Sequence, residues 1–267
     1  MPLLLAILIW GICAAIAIPF FTRTWWMPQA ISAHARTVDD QIVLTTIITG
    51  IVFILAHLAL GYTVLFYGKR RAGAATYSHG NTTYELLWSS AAGILFIGLT
   101  LMGTKVWGAI HFQPAPPGAL QIELTGQQFA WNVRYSGPDG KFGALDIKQI
   151  NDQSGNPLGV DAKDPNGKDD ITAPTMPVPV NRPIEVILRT KDVTHAFNVP
   201  ELRLKLDTVP GLLGRLHFTA DKTGVFELAC AELCGLGHYK MRSFLEVMEP
   251  AKFDAWIQEK LKEKSAP

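Results

Sequence analysis

Two thiols, an imidazole and a thioether fall within one short run of this chain, CAELCGLGHYKM from Cys230 to Met241, and a second imidazole, His195, stands upstream in DVTHAFNVP. Thiolates four residues apart, on a loop that bulges between them, are spaced so that each bridges the same two metal ions. His238, four residues after Cys234, and Met241, three further on, cap the metals from the same loop. His195 is the best candidate for the remaining imidazole, because it follows the β-rich run PIEVILRT and precedes a proline. Thiolate, thioether and imidazole together select copper over hard cations, and a weak Met ligand is a habit of copper electron-transfer sites. Zinc also takes Cys and His, although its sites seldom recruit Met. A Cys230 to Cys234 disulfide outside the cytosol is the other reading of the pair.

With these residues in place, the chain resembles subunit II of the haem-copper cytochrome c oxidases, the subunit that carries the binuclear CuA centre. CAELCGLGHYKM is similar to that family's CxExCGxxHxxM, and DVTHAFNVPELRLKLDTVPG to its DVxHxFxVP segment and the K-x-D-x-x-PG run that follows. The resemblance implies that Cys230 and Cys234 bridge both coppers. It implies further that His195 and Met241 complete one copper, and His238 and the backbone carbonyl of Glu232 the other. The Glu232 side chain would then face the catalytic subunit and share a magnesium or manganese ion with it; taken alone, Glu232 reads as an ordinary solvated acid. The stretch GQQFAWNVRY at 126 to 135 resembles the family's GHQWYW. That match places the electron-accepting aromatic at Phe129, where the family has Trp, and the second indole at Trp131. Either ring also reads as barrel core.

The function implied by the resemblance is electron relay. A c-type cytochrome or an equivalent donor reduces the copper pair, and the electron passes to haem in catalytic subunit I, where oxygen is reduced. This chain has no haem-ligand constellation of its own and no CxxCH. A CuA-bearing nitric oxide reductase subunit shares most of these features, and a stand-alone membrane-tethered copper carrier fits the motif without partners. A quinol oxidase subunit II would lack the Cys pair, and nitrous oxide reductase needs a large additional β domain.

The elements that position the motif divide into two compositions. At 267 residues, 48% hydrophobic and with mean hydropathy +0.18, the chain is too apolar for a simple soluble domain and too polar to be all membrane. Its formal net charge is only +1, and no nucleic-acid partner is expected. Residues 3 to 21, 42 to 66 and 86 to 104 contain no Asp, Glu, Lys or Arg. Each is long enough to cross a hydrocarbon core of about 30 Å as a helix. Residues 1 to 111 are therefore expected to be a membrane anchor with helices near 3–21, 42–66 and 86–110. Lys69, Arg70 and Arg71, followed by His79 with no acid before Glu85, place the loop between the second and third helices inside. The copper domain then lies on the periplasmic or outer face of a bacterial inner membrane.

The first apolar run also has the look of a signal peptide. It lacks a positive n-region, however, and Ala33, His34, Ala35 lie too far along for the usual cleavage site. A retained helix with its N-terminus inside is expected, and Cys13 within it reads as a small apolar packing group. The third helix opens with YELLWSSAAGILF, which resembles the family's E-x-x-W helix start. By that resemblance Glu85 marks the mouth of a proton pathway; alternatively it is an interfacial acid at a helix N-terminus. His57 sits inside the second apolar run, where an ionisable group is a functional hypothesis by default. A neutral, hydrogen-bonded contact with a partner helix is the blander expectation there.

After the linker at 112–119 (QPAPPG within it), LQIELTG, AWNVRYS, PIEVILRT, GRLHFTA, GVFELAC and RSFLEVM have strand character. Short strands between Gly and Pro turns predict an antiparallel Greek-key barrel or sandwich over 120–249. That prediction fits the cupredoxin fold the resemblance implies. Residues 250 to 267 hold an amphipathic helix, with Phe253, Trp256, Ile257 and Leu261 on one stripe, and a tail. Residues 120 to 249 carry 17 acids against 14 bases, and the Gly-, Pro- and Asp-rich insertion from Pro138 to Asp170 has seven Asp against four Lys. A modestly acidic face would steer a basic cytochrome, although a charge run is commonly a solvated loop. Calcium is a remoter reading of the same acids.

Overall fold

A computed structural model describes residues 1–24, 26–68, 77–161 and 163–265. Three long helices come first: α1 (Pro2–Phe21), α2 (Ala33–Tyr67) and α3 (Thr82–His111). Ten strands follow: β1 (Leu120–Gln127), β2 (Ala130–Tyr135), β3 (Ile171–Ala173), β4 (Met176–Pro179), β5 (Ile184–Thr190), β6 (His195–Val199), β7 (Leu204–Thr208), β8 (Gly214–Phe218), β9 (Gly224–Cys230) and β10 (Arg242–Met248). A last helix, α4 (Pro250–Ser265), closes the chain.

The helices are 20, 35 and 30 residues long, and all three are apolar enough to cross a membrane. Their large side chains point outward, the reverse of a water-soluble domain: Leu4, Leu55, Leu87 and Ile94 are all exposed. On α1 the buried face is Ala6 and Cys13 with Trp10 between them, a helical spacing. Trp10 fills a notch on α2 that exists because residue 61 is glycine; a Cβ there would lie 2.1 Å from the indole nitrogen. Cys13 is a free, buried thiol. His57 bonds the carbonyl of Phe53 one turn back at 2.8 Å, with its ring tilted at 41° against the Phe53 ring, so its polar partner is its own helix. The basic residues Lys69, Arg70 and Arg71, on which the orientation was reasoned, lie outside the described residues.

The chain divides into two compact units, one of residues 1–28 and 39–106, the other of 29–38 and 107–267. Residues 29–38 thus pack with the strands, although the sequence reading placed them in the anchor. Ile31 and Ser32 are 1% and 2% exposed, and Ser32 pairs with Ala220. The backbone of Ile31 donates to Glu201 and accepts from Asp221 at 3.1 and 2.8 Å. This strap explains why α2 begins well before its apolar run. The Ser32 hydroxyl accepts the Ala35 amide at 3.0 Å, an N-cap, and Arg36 pairs with Asp221. The Ala33–Ala35 stretch weighed as a cleavage site is the first turn of that capped helix, with Ala35 buried.

The strands form two five-stranded sheets, ordered β3-β2-β1-β5-β8 and β4-β10-β9-β6-β7. Their inner faces share one core, with Ile122, Leu124, Val186 and Leu188 from the first and Met176, Phe197, Leu228 and Leu245 from the second. The cupredoxin-like fold is as expected, but it is not wholly antiparallel, because β1 runs parallel to β5 and β4 to β10. Those pairings join segments distant in sequence, so no local pattern announces them. Helix α4 lays Phe253, Trp256, Ile257 and Leu261 on the core, and Trp256 meets Tyr135 edge-on at 5.1 Å.

The insertion after β2 is loop, as read, but it is stitched down. Arg134, 1% exposed, pairs with Glu123 at 2.9 Å and with Asp170, and it bonds the Gly143 carbonyl. Lys264 of α4 donates to the carbonyls of Gly167 and Asp170 at 3.0 and 2.7 Å. The insertion's carboxylates largely cap turns: Asp146 accepts from Lys148, Asp161 from Lys163, Asp164 from Ala144 and Asn166, and Asp169 from Asp139.

Candidate metal centre

Strand direction gathers the site at one end of the sandwich. β1, β5, β7 and β9 finish there, and β2, β6, β8 and β10 begin there, as the pairs Gln127 with Ala130 and His195 with Thr208 require. His195 opens β6, Cys230 closes β9, and Cys234, His238 and Met241 lie on the loop that leads into β10.

Six donor atoms converge. The sulfurs of Cys230 and Cys234 are 3.9 Å apart, and Cys230 Sγ is 3.9 Å from His195 Nδ1 and 3.2 Å from the Glu232 carbonyl. Cys234 Sγ is 3.6 Å from His238 Nδ1 and 3.8 Å from Met241 Sδ. All three cysteines are free, and a disulfide would hold its sulfurs near 2.05 Å. The geometry is of two thiols facing a shared point. Among the described residues, His195, Cys230 and Cys234 are the group of acid, Cys and His side chains placed to hold a metal.

The donor set is consistent with copper. It joins soft thiolates and a thioether to imidazole, and four of its side chains are buried: His195 is 0% exposed, Met241 2%, Cys234 4% and Cys230 8%, while His238 is half-buried. Burial, reinforced by the adjacent Cys230 thiol, pushes the Cys234 thiol up to about 11. Two uncompensated thiolates are therefore disfavoured here, and a bound cation is what would make them stable.

Neighbouring groups aim the ligands. His195 Nε2 bonds Asp192 Oδ1 at 2.8 Å, which leaves Nδ1 for the site. Partial burial works to raise the Asp192 carboxyl, but bonds from the Gln128 amide, His195 and the Val193 amide outweigh it and hold it below the usual carboxylate range. Gly126 lets β1 pass over the imidazole, since a Cβ there would lie 2.8 Å from His195 Cδ2.

The two flagged aromatics take different places. Trp131 is 3% exposed and meets the His195 ring edge-on at 6.0 Å. Phe129 is 39% exposed, and its ring rests on the ligand loop where residues 235 and 237 are glycine; a Cβ on Gly237 would lie 2.4 Å from that ring. The Glu232 side chain is half-exposed beside Lys205 Nζ at 3.8 Å. Glu85 lies in the first turn of α3, a helix capped by the side chain of Asn81. Sequence reasoning missed Gly126, Gln128 and Asp192 as site residues. Asp192 stands three residues before His195 in DVTH, the one sequence signal that could have found it.

The chain matches the family of the cytochrome c oxidase subunit II periplasmic domain over residues 120–248. It is 34% identical over 241 residues to an alternative cytochrome c oxidase subunit 2 of Bradyrhizobium diazoefficiens, covering 90% of this chain and 85% of the relative. It is 31% identical over 254 residues to a cytochrome c oxidase subunit 2 of Synechocystis sp., covering 86% and 74%. The crystal structure of the periplasmic domain of subunit II of cytochrome oxidase from Bradyrhizobium japonicum is similar at 33% identity, covering 57% of this chain and 100% of that one, with a TM-score of 0.42.

Proposed function

The chain belongs to the cytochrome c oxidase subunit II family, and from that premise we propose that it is the subunit through which electrons enter a respiratory oxidase. The observation that carries this is the convergence of Cys230, Cys234, His195, His238, Met241 and the Glu232 carbonyl on one buried point. A copper centre held by these residues would supply one-electron transfer. The protein's part is to hold that shell dry and rigid. Strands fix Cys230 and His195, Asp192 fixes the imidazole, and Trp131 seals the inner side. Little then has to rearrange when the charge changes.

The donor is proposed to be a c-type cytochrome or an equivalent carrier, docking over Phe129 and the ligand loop. Leu236, 97% exposed, projects from that loop between the two glycines against which Phe129 lies. The Glu232 sector, with Lys205 and Asp207, is assigned to the catalytic haem-copper subunit. Glu232 is the residue proposed to share a magnesium or manganese ion with it. Glu85 is retained as a proposed proton-pathway residue.

The proposed setting is a bacterial inner membrane with the copper domain outside. The basic run Lys69, Arg70 and Arg71 between the second and third apolar segments supports it, since Lys and Arg near segment ends stay inside. Purification from native membrane is the test. A subunit of an oxidase comes with a haem protein that consumes oxygen when given reduced cytochrome c. A chain that comes alone, or with a haem protein that reduces only nitric oxide, would overturn the oxidase assignment.

A further inference from the structure

The ligands come from two segments far apart in sequence, and a single residue ties them together. We infer that Gln128, in the β1–β2 turn, is a positioning residue that locks the His195 segment and the Cys234 loop into one frame; this rests on the copper reading above.

Its backbone amide donates to Asp192 Oδ2 at 2.7 Å, while Asp192 Oδ1 holds His195 Nε2 at 2.8 Å. Its side-chain amide donates to the carbonyl of Cys234 at 2.6 Å. The two ends of one glutamine thus reach both halves of the site. Cys234 is where such a tether matters. Cys230 is fixed by β9 and by its amide bond to the Met241 carbonyl at 3.0 Å, whereas Cys234 lies in irregular chain ahead of Gly235, whose φ is 131°. The turn is shaped for the task. Gly126 admits the imidazole beneath it, and Gly235 and Gly237 admit Phe129 above the loop. A Cβ on Gly235 would lie 2.9 Å from the Gln128 amide nitrogen itself. Phe129 rides on the next residue, so the frame that holds the ligands also holds the ring over which the donor docks.

Gln128 is exposed, and a surface substitution ordinarily changes little. An effect on copper is therefore diagnostic. The test uses the full chain with its partner subunits and two variants, Gln128→Leu, which removes the donor, and Gln128→Glu, which keeps the shape but presents an acceptor to the carbonyl. Copper loss to a copper(I) chelator, the paramagnetic resonance hyperfine pattern and the thermal midpoint of the metal-free chain are read together. One hydrogen bond of ordinary net strength corresponds to about a three- to tenfold effect. Gln128→Leu is expected to lose copper about that much faster and to change the hyperfine pattern, with Gln128→Glu worse and the thermal midpoint of both near wild type. Wild-type copper loss and hyperfine pattern in both variants would overturn the inference, as would parallel loss of copper and thermal stability, which marks a purely structural role. A wild-type chain that binds no copper pair fails at the earlier step, and so distinguishes the two claims.

Discussion

The chemistry at the residue scale is set by how two thiols and two imidazoles are held before any metal arrives. Asp192 fixes which nitrogen of His195 faces the site, and partners of this kind are commonly worth 10- to 100-fold in metal affinity. Asp192→Ala is therefore expected to weaken copper retention by about that factor in a chelator competition, while leaving the fold intact. The Cys234 thiol, pushed up to about 11 by burial and by Cys230, gives a second expectation. A group whose pKa is raised on folding contributes stability that is complete below the unfolded value and is lost as pH rises through the folded one. The metal-free chain should thus lose stability between about pH 9 and pH 11, and Cys234→Ser should remove that slope, as read by thermal unfolding against pH. The five candidate side-chain donors were legible in the sequence because metal chemistry dictates residue type and spacing, whereas the Glu232 carbonyl came only from the family resemblance. Gln128 and Asp192 were not legible, because a hydrogen bond to a ligand imposes no spacing of its own. Gly126 was silent for a similar reason: a missing Cβ matters only once β1 is known to pass over His195.

At the scale of elements, the three apolar runs were plain, since a bilayer demands length and the absence of charge. The amphipathic stripe of α4 was plain too, because its period is local. The strap was not. Residues 29–32 have neither a period nor a turn signature, and their partner is the distant Ala220 edge. Nor does the sequence mark the burial of Arg134, since an Arg in an alternating strand ordinarily faces outward, yet here it is 1% exposed between Glu123 and Asp170. The strap should contribute measurably. Ile31 is 1% exposed and part of the shared core, and truncating such a side chain costs about 2–5 kcal/mol. Ile31→Ala is expected to lower the unfolding free energy of the strand domain by an amount in that range. An unchanged transition would mean that the strap only lies on the surface.

Across the whole molecule, the distribution of charge decides how a donor approaches. The acidic insertion leaves β2 at Tyr135 and returns at Ile171, at the end of the sandwich opposite the ligands, and its carboxylates are engaged in turns and in the Arg134 pair. The sequence reading of an acidic steering face counted these residues without knowing where they sit. At the ligand end large apolar side chains stand among a few charges of both signs: Leu233, Leu236 and Tyr239 are 78%, 97% and 77% exposed, Leu212 and Leu213 project from the β7–β8 turn, and Lys191, Asp192 and Lys240 are exposed beside them. Electrostatically steered association falls steeply with ionic strength. Donor oxidation by the intact oxidase should therefore change only about two- to threefold as ionic strength rises from 10 to 200 mM. A fall of a hundredfold would place the docking face elsewhere.

Whether Cys230 and Cys234 hold two coppers, as proposed, is decided by metal analysis with paramagnetic resonance on the full chain purified in detergent. Two coppers per chain sharing one unpaired electron are expected, with that signal lost in Cys230→Ser. One copper per chain, zinc in its place, or a Cys230 to Cys234 disulfide in the copper-treated protein would contradict the proposal.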